Sequence, residues 1–236
     1  MRTKKTILFV LIVLAMSSCK KDNPIAPGPV DEHNFVQLTN LKIDPAIVEK
    51  SVGAKTDPLG LWYYSLDDQK VVLADQARTD QWDFAFDCNR NMILVNNGKY
   101  KSNKVIYENG GKALFTISAK LFEEVKEAPA DDAVYNKTIN YSGEYGADSY
   151  ALNGDLDPNI LGWVQSFEDG VLLKYVKAIK NRTIIFKTNK GKYAKLQIQS
   201  VYKDNPAKPT ENSEKYYLNF RFFLQKDGSR NLNSAK

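Results

Sequence analysis

Apolar and polar residues alternate through much of the chain, and this alternation predicts β-strands. It is clearest in segment 216–225, where Tyr, Leu, Phe, Phe and Leu alternate with Tyr, Asn, Arg, Phe and Gln. Because successive side chains of a strand point to opposite faces, a period of two is typical of a half-buried strand. Segments 183–187 and 192–202, joined by the turn 189–191, predict an antiparallel hairpin.

The strand predicted over 192–202 has two faces of different polarity. One set of alternate positions is apolar and is predicted to face the core: Ala194, Leu196 and Ile198. The other set is more polar and is predicted to face water: Tyr193, Lys195, Gln197 and Gln199. One buried and one solvated face is typical of an antiparallel sheet.

The aromatic-rich segment 61–98 predicts the strands against which the rest of the chain packs. It begins with two apolar runs on either side of the polar turn Asp67–Gln69, which predicts a β-hairpin. Farther on, Trp82, Phe84 and Phe86 occupy alternate positions, so we expect them to share one face of a strand. The segment predicts a β-protein with an aromatic core.

Few positions predict helices. Asp44–Pro45 predicts a short helical turn, because proline is favoured at the first helical position. Ser118–Glu127 is the best helix candidate, with Ser118 as its N-cap and an apolar stripe of Leu121, Phe122 and Val125. The segment 128–162 has no clear period and is too long for a featureless loop, so we expect it to be functional.

The N-terminal residues predict a cleaved leader. Arg2, Lys4 and Lys5 form a basic region, and the apolar run Thr6–Met16 is too short to span a bilayer. The small residues before Cys19 resemble a bacterial lipobox, which implies a signal peptide over 1–18 and lipidation of the Cys19 thiol. The proline-rich stretch that follows predicts a lipid anchor and flexible tether over 19–34, with one β domain over 35–236.

Charge and cysteine content exclude several classes of protein. The formal net charge of +5 falls to about +2 once the three cationic side chains of the leader are removed, so nothing favours nucleic acid as a partner. With Cys19 acylated, Cys88 has no partner for an intramolecular disulfide, and its apolar neighbours favour a buried small hydrophobe. The single histidine, His33, lies in the tether, which excludes His-based triads and His-rich zinc sites.

Five short blocks of the sequence together resemble the HmuY family, the haem-binding lipoproteins of Bacteroidetes. The blocks are WYYSL at 62–66, KVV at 70–72, QWDFAF at 81–86, KYAKLQI at 192–198 and YYLNFRFFLQ at 216–225. The resemblance covers roughly residues 52–232 and implies an all-β fold of two antiparallel sheets with a few short helices, which holds haem between finger-like hairpins.

The function that the resemblance implies is that of a haemophore. Such a protein is not an enzyme: it binds haem or a related porphyrin and delivers it to a TonB-dependent outer-membrane receptor. Its expected location is the outer membrane, where it is lipid-anchored at the cell surface. The alternative is a non-haem surface lipoprotein that binds a glycan or protein partner on the same scaffold.

The iron ligands of the family have no match at the corresponding positions. Known members use pairs of His or Met, whereas the chain after His33 has no histidine and only one methionine, Met92, which we interpret as core. Alignment on Trp163 and Tyr175 places one ligand position near Glu168, and the other falls within 135–150.

Three hypotheses about haem therefore stay open. Tyrosine ligates haem iron in catalase, and Tyr141, Tyr145 and Tyr150 lie in the appropriate segment; the alternative interpretation is that they are amphipathic loop anchors. Alternatively, haem could be held only by its faces and its propionates, with Lys or Arg as partners. In the third hypothesis the chain has kept the scaffold and lost haem.

Overall fold

The structure is a computed structural model that describes residues 34–51, 60–101, 106–130, 132–135, 162–170 and 172–235. Strands dominate these residues and helices are few, so the predicted all-β class is confirmed. The leader, Cys19, the tether up to His33, and the three candidate ligands Tyr141, Tyr145 and Tyr150 lie outside the described residues. No helix within the described ranges is long and apolar enough to cross a membrane.

The described residues form thirteen strands, one short α-helix and three 3-10 turns. The strands are β1 (Val36–Lys42), β2 (Trp62–Ser65), β3 (Lys70–Val72), β4 (Phe84–Asp87), β5 (Met92–Val95), β6 (Lys99–Lys101), β7 (Ile106–Glu108), β8 (Leu114–Ser118), β9 (Val164–Glu168), β10 (Leu173–Ala178), β11 (Thr183–Lys187), β12 (Tyr193–Tyr202) and β13 (Lys215–Leu224). Helix α1 is Pro45–Ser51, and the 3-10 turns are Ala74–Gln76, Phe122–Glu124 and Asp132–Val134.

Two antiparallel sheets form the body of the protein. The large sheet has the order β1-β13-β12-β11-β8, and the small sheet has the order β3-β2-β4-β5. Two further pairs, β6–β7 and β9–β10, form separate two-stranded sheets. The predicted hairpins β2–β3 and β11–β12 and the helix that begins at Pro45 are confirmed.

The main core lies between the two sheets and is largely aromatic. Tyr64 and Phe84 of the small sheet meet Phe220 of the large sheet edge to face, with ring centroids 5.5 and 6.0 Å apart. Trp62 meets the same ring at 6.2 Å, and all four side chains are buried. Edge-to-face pairs add about 1 kcal/mol each beyond the burial of area, so they fix how the sheets face each other.

The prediction that Trp82 shares a face with Phe84 and Phe86 is wrong. Trp82 lies in a second core on the opposite face of the small sheet, where its ring packs 4.8 Å from that of Tyr63. Strand β4 begins only at Phe84, so the alternation does not extend back to residue 82. The Trp82 indole nitrogen instead donates a hydrogen bond to the carbonyl oxygen of Ala77, at 3.0 Å.

Asp83 joins the two sheets at one end of the molecule. Its buried carboxylate accepts hydrogen bonds from the backbone N–H of Leu66, at 2.7 Å, and from that of Asn189, at 2.8 Å. Leu66 follows β2 and Asn189 lies in the β11–β12 turn, so one side chain holds both sheets. Burial raises the pKa of Asp83 to about 6. The QWDFAF block therefore carries a structural connection.

The prediction of a helix over Ser118–Glu127 is also wrong. Strand β8 continues through Ser118, and beyond it the chain forms only the short turn Phe122–Glu124. This turn crosses the outer face of the large sheet. Two of the apolar side chains that suggested a helical stripe, Phe122 and Val125, are buried, whereas Leu121 is exposed.

The polar face predicted for β12 is consequently not solvated. Lys195 is fully buried because the segment around Phe122 covers it. Gln197 is also buried, and its side chain bonds to the carbonyl oxygen of Lys180 and to Arg221. The Lys195 ammonium donates hydrogen bonds to the carbonyl oxygens of Phe122, at 2.7 Å, and Val125, at 2.9 Å. It also lies 4.5 Å from the centre of the Phe122 ring. Burial lowers the pKa of Lys195 to about 8.

Candidate functional site

The β9–β10 pair forms a hairpin whose strands pair with neither the large sheet nor the small sheet, and we call this hairpin the finger. Its strands pair antiparallel from Val164 opposite Ala178 to Glu168 opposite Leu173. At the turn Gly170 has a φ of 94°, a left-handed conformation that favours a residue without a Cβ atom. The sequence thus folds locally into a hairpin whose turn points away from the core.

The finger exposes more apolar surface than its own folding requires. The rings of Phe167 and Tyr175 stack with centroids 4.6 Å apart and planes 13° apart, and both residues are only half-buried. At the turn, Leu172 is 63% exposed and Leu173 is 43% exposed. Contiguous exposed apolar groups commonly mark a binding surface. The finger therefore offers a guest an apolar tip and a partly exposed aromatic pair, of which Tyr175 also packs against the main core.

The base of the finger is fixed to the body. Val176 is buried, and its N–H donates a hydrogen bond to the Tyr202 hydroxyl, at 2.9 Å. Trp163, just before β9, donates from its indole nitrogen to the carbonyl oxygen of Asn91, at 3.1 Å. These contacts hold the base of the finger in place while its tip projects.

A cleft lies beside the base of the finger, between β10, β12 and the loop 203–214. We call it the basal cleft, and its volume is about 380 Å³. This volume is near the lower end of the range for small-molecule sites. Its apolar floor consists of Trp163, Val176, Ile198, Val201 and Tyr202. Its lining also contains Lys177, Lys180 and Arg221, and none of the described lining residues carries a carboxylate.

A smaller cavity, of about 80 Å³, lies on the other side of Val176 and Tyr202. Tyrosines line much of it: Tyr175, Tyr202, Tyr216 and Tyr217. Burial raises the pKa of the Tyr202 and Tyr216 phenols, so both stay protonated at neutral pH. Tyr216 has a φ of 71°, which is rare for a bulky residue. Sequence analysis missed this grouping, because the four tyrosines come from three separate strands.

The structure describes only one of the four residues predicted to bind the cofactor. Glu168 lies at the end of β9, exposed on the finger and next to Phe167, whereas Tyr141, Tyr145 and Tyr150 lie outside the described residues. Met92 is buried in the second core, on the far face of the small sheet, which confirms the interpretation of a core residue. Cys88 is likewise buried in the main core. Among the described residues no group of three or more His, Cys, Asp or Glu could hold a metal ion.

Fold and site together define a β-sandwich with an apolar projecting hairpin and a preformed cleft. The chain belongs to the HmuY family, since the family's sequence model, described as HmuY protein, matches residues 60–222. That range includes the small sheet, the finger and most of the large sheet. None of the curated proteins matches the sequence.

Three solved structures from Bacteroidetes are similar to the chain. A crystal structure of an apo HmuY analog from Tannerella forsythia has 16% identity and a TM-score of 0.41, with 81% of this chain and 96% of that chain covered. A protein from Bacteroides fragilis described as a lipoprotein has 9% identity and a TM-score of 0.41, with 85% and 95% covered. A protein from Bacteroides vulgatus described as an HmuY-like haem-binding protein has 13% identity and a TM-score of 0.36, with 79% and 97% covered.

Proposed function

We propose that the protein is an outer-membrane lipoprotein of the HmuY type, which binds haem or a related porphyrin and delivers it to a TonB-dependent receptor. Membership of the family supports the proposal. The structural observation that carries it is the half-exposed aromatic stack of Phe167 and Tyr175, with two exposed leucines at the tip of the finger. A porphyrin is a large flat apolar molecule, and such a surface suits its face.

The described residues fit the face of a porphyrin but do not fit its iron. No histidine occurs in the part of the chain that the structure describes, and Met92 is buried away from the finger. The phenols of Tyr202 and Tyr216 have raised pKa values, which disfavours the phenolate that binds iron. Ligation by Tyr141, Tyr145 or Tyr150, or at the position of Glu168, is therefore a proposal from the sequence.

A second candidate function is the binding of a protein partner without haem. The exposure of Leu172 and Leu173 favours it, because burial of large apolar side chains against a partner's surface is more favourable than their exposure to water. On this alternative the finger contacts a transporter or another surface protein directly, and we expect no enzymatic activity in either case.

Haem titration of the purified protein tests the first proposal. We expect the Soret band to shift and to saturate at one equivalent of haem, and we expect Phe167→Ala to weaken binding by roughly tenfold because it removes half of the aromatic stack. The matched control is Leu73→Ala, which removes an exposed apolar side chain far along the sequence from the finger. If the two variants bind haem with equal affinity, the finger is not part of the haem site.

The same titration identifies the ligand. If a phenol binds the iron, one of Tyr141→Phe, Tyr145→Phe and Tyr150→Phe should change the haem spectrum while the other two do not. Glu168→Gln tests the remaining predicted residue in the same way. Haem spectra identical to wild type in all three tyrosine variants would exclude ligation by these side chains.

We also propose that residues 1–18 are removed as a signal peptide, that Cys19 carries the lipid, and that the tether 19–34 joins it to a β domain over 35–236, with the domain at the cell surface. Cys19→Ser should release the protein from the membrane fraction, because the thiol that would carry the lipid is absent. Fractionation of cells that express the two forms measures this. Retention of the serine variant in the membrane would contradict lipid anchoring at Cys19.

A further inference from the structure

The basal cleft has a chemistry of its own, different from that of the finger's aromatic stack. We propose that it binds a small amphipathic anion, which has an apolar body and a carboxylate or similar acidic head. This goes beyond the proposed function, because the cleft lies at the base of the finger on the side of β12, whereas Glu168 and the exposed leucines lie at its tip.

The floor of the cleft suits the apolar body. Trp163 and Tyr202 contribute rings to this floor; the indole N–H donates to the carbonyl oxygen of Asn91, and the Tyr202 hydroxyl oxygen accepts from the N–H of Val176. Ile198 and Val201 complete an apolar surface between them. A ligand whose apolar body covers this floor gains free energy from the apolar area that it buries.

The outer wall of the cleft is held in place before any ligand binds. Asn40 and Asp204 exchange two hydrogen bonds, since the Asn40 amide donates to the Asp204 carboxylate at 2.9 Å and the Asp204 N–H donates to the Asn40 side chain at 2.6 Å. Lys203 and Glu214 pair at the two ends of the loop, with a side-chain distance of 3.2 Å. Pro206 and Pro209 stiffen the part between them that lines the cleft. Little ordering is therefore needed on binding.

The charge at the rim selects an acidic head. Lys177 and Lys180 are exposed there, and in the described part of the chain neither ammonium lies within ion-pair distance of a carboxylate. The third cation, Arg221, is already paired with Glu123 at 2.7 Å and donates to Gln197 at 2.9 Å. Because no described lining residue is acidic, the two lysines give the rim a positive potential that attracts an anion.

Calorimetric titration with decanoate and with 1-decanol tests the inference. Both probes carry the same apolar chain, but only decanoate carries a negative charge at neutral pH. We expect decanoate to bind at one equivalent and more tightly than decanol, with an affinity that falls as salt is added. Decanol binding as tight as decanoate, or no binding of either, would overturn the inference.

Two variants locate the site. Lys177→Glu combined with Lys180→Glu should weaken decanoate binding by roughly tenfold, because two attractive charges become repulsive at exposed positions that folding does not require. The matched control combines Lys112→Glu with Lys226→Glu, which makes the same change in net charge at exposed residues outside the lining and its loop. Ala207→Trp, on the exposed loop, should block the cleft. Equal affinity in the rim variant and its control would overturn the assignment.

Haem titration of the same variants separates this inference from the proposed function. Decanoate binding without haem binding contradicts the proposed function alone, and haem binding without decanoate binding contradicts this inference alone. If Ala207→Trp abolishes decanoate binding and leaves haem binding unchanged, the two sites are distinct. If the rim variant weakens both and haem displaces decanoate, the cleft is part of the haem site, and the inference of a separate anion site is overturned.

Discussion

Asp83→Ala should lower the free energy of unfolding by about 3 kcal/mol. The substitution leaves the buried N–H groups of Leu66 and Asn189 without their acceptor, and an unsatisfied buried donor costs about 1–3 kcal/mol. It also opens a gap between the small sheet and the β11–β12 turn. Part of the loss is offset, because burial of the carboxylate, which raises its pKa to about 6, is itself unfavourable at neutral pH.

Urea unfolding followed by tryptophan fluorescence measures this effect. The matched control is Asp80→Ala, which removes an exposed carboxylate three residues earlier and should change the stability by less than about 0.5 kcal/mol. The slope of unfolding free energy against urea should be unchanged in both. A loss at Asp83 no larger than that at Asp80 would show that the two sheets are held by the aromatic core alone.

The free energy of unfolding should rise as the pH increases from about 7 to about 9.5, because the buried Lys195 ammonium loses its charge over this range. Its pKa is lowered from 10.5 to about 8 in the folded state, so over this range the unfolded chain binds more protons than the folded protein. Stability then rises with pH, by about 2 kcal/mol from this one group, and the gain is complete above the unfolded pKa. The cause is burial of the ammonium beneath the Phe122–Glu124 turn, with Lys126 and Arg221 nearby opposing its charge.

Lys195→Met isolates this contribution. Methionine keeps an unbranched side chain of similar size but cannot titrate, so the pH-dependent rise should be absent from the variant. Other groups that titrate in the same range, such as the buried tyrosines, are common to both proteins and cancel in the difference. Lys208→Met, at an exposed position, is the matched control and should keep the wild-type pH dependence. The same slope in wild type and Lys195→Met would contradict the account of a buried cation.

Alternation along the sequence predicted β11, β12 and β13 because each of these strands has one face in the main core. It could not predict that Lys195 is buried, since its cover comes from residues near Phe122, some seventy positions earlier in the chain. The same limit explains Trp82. The face that Trp82 occupies depends on where β4 begins. Strand β4 begins at Phe84, directly after Asp83, whose side chain contacts two distant turns.

The candidate site was harder to predict than the fold. The sequence blocks that resemble the family most specifically, QWDFAF and KYAKLQI, lie in the two sheets and stabilise them. The finger has no distinctive sequence pattern, because residues 164–178 mix polar and apolar side chains as other segments of the chain do. The basal cleft combines Trp163, just before β9, with the end of β10, the second half of β12 and a proline-bearing loop, so no local pattern marks it.

The central claim is that this scaffold presents an apolar finger that captures a flat apolar guest. The most direct test is a titration of the purified protein with haem, in air and under anaerobic reduction, followed at the Soret band. The account predicts a shift that saturates at one equivalent in at least one oxidation state. Spectra that remain those of free haem in both conditions would contradict it.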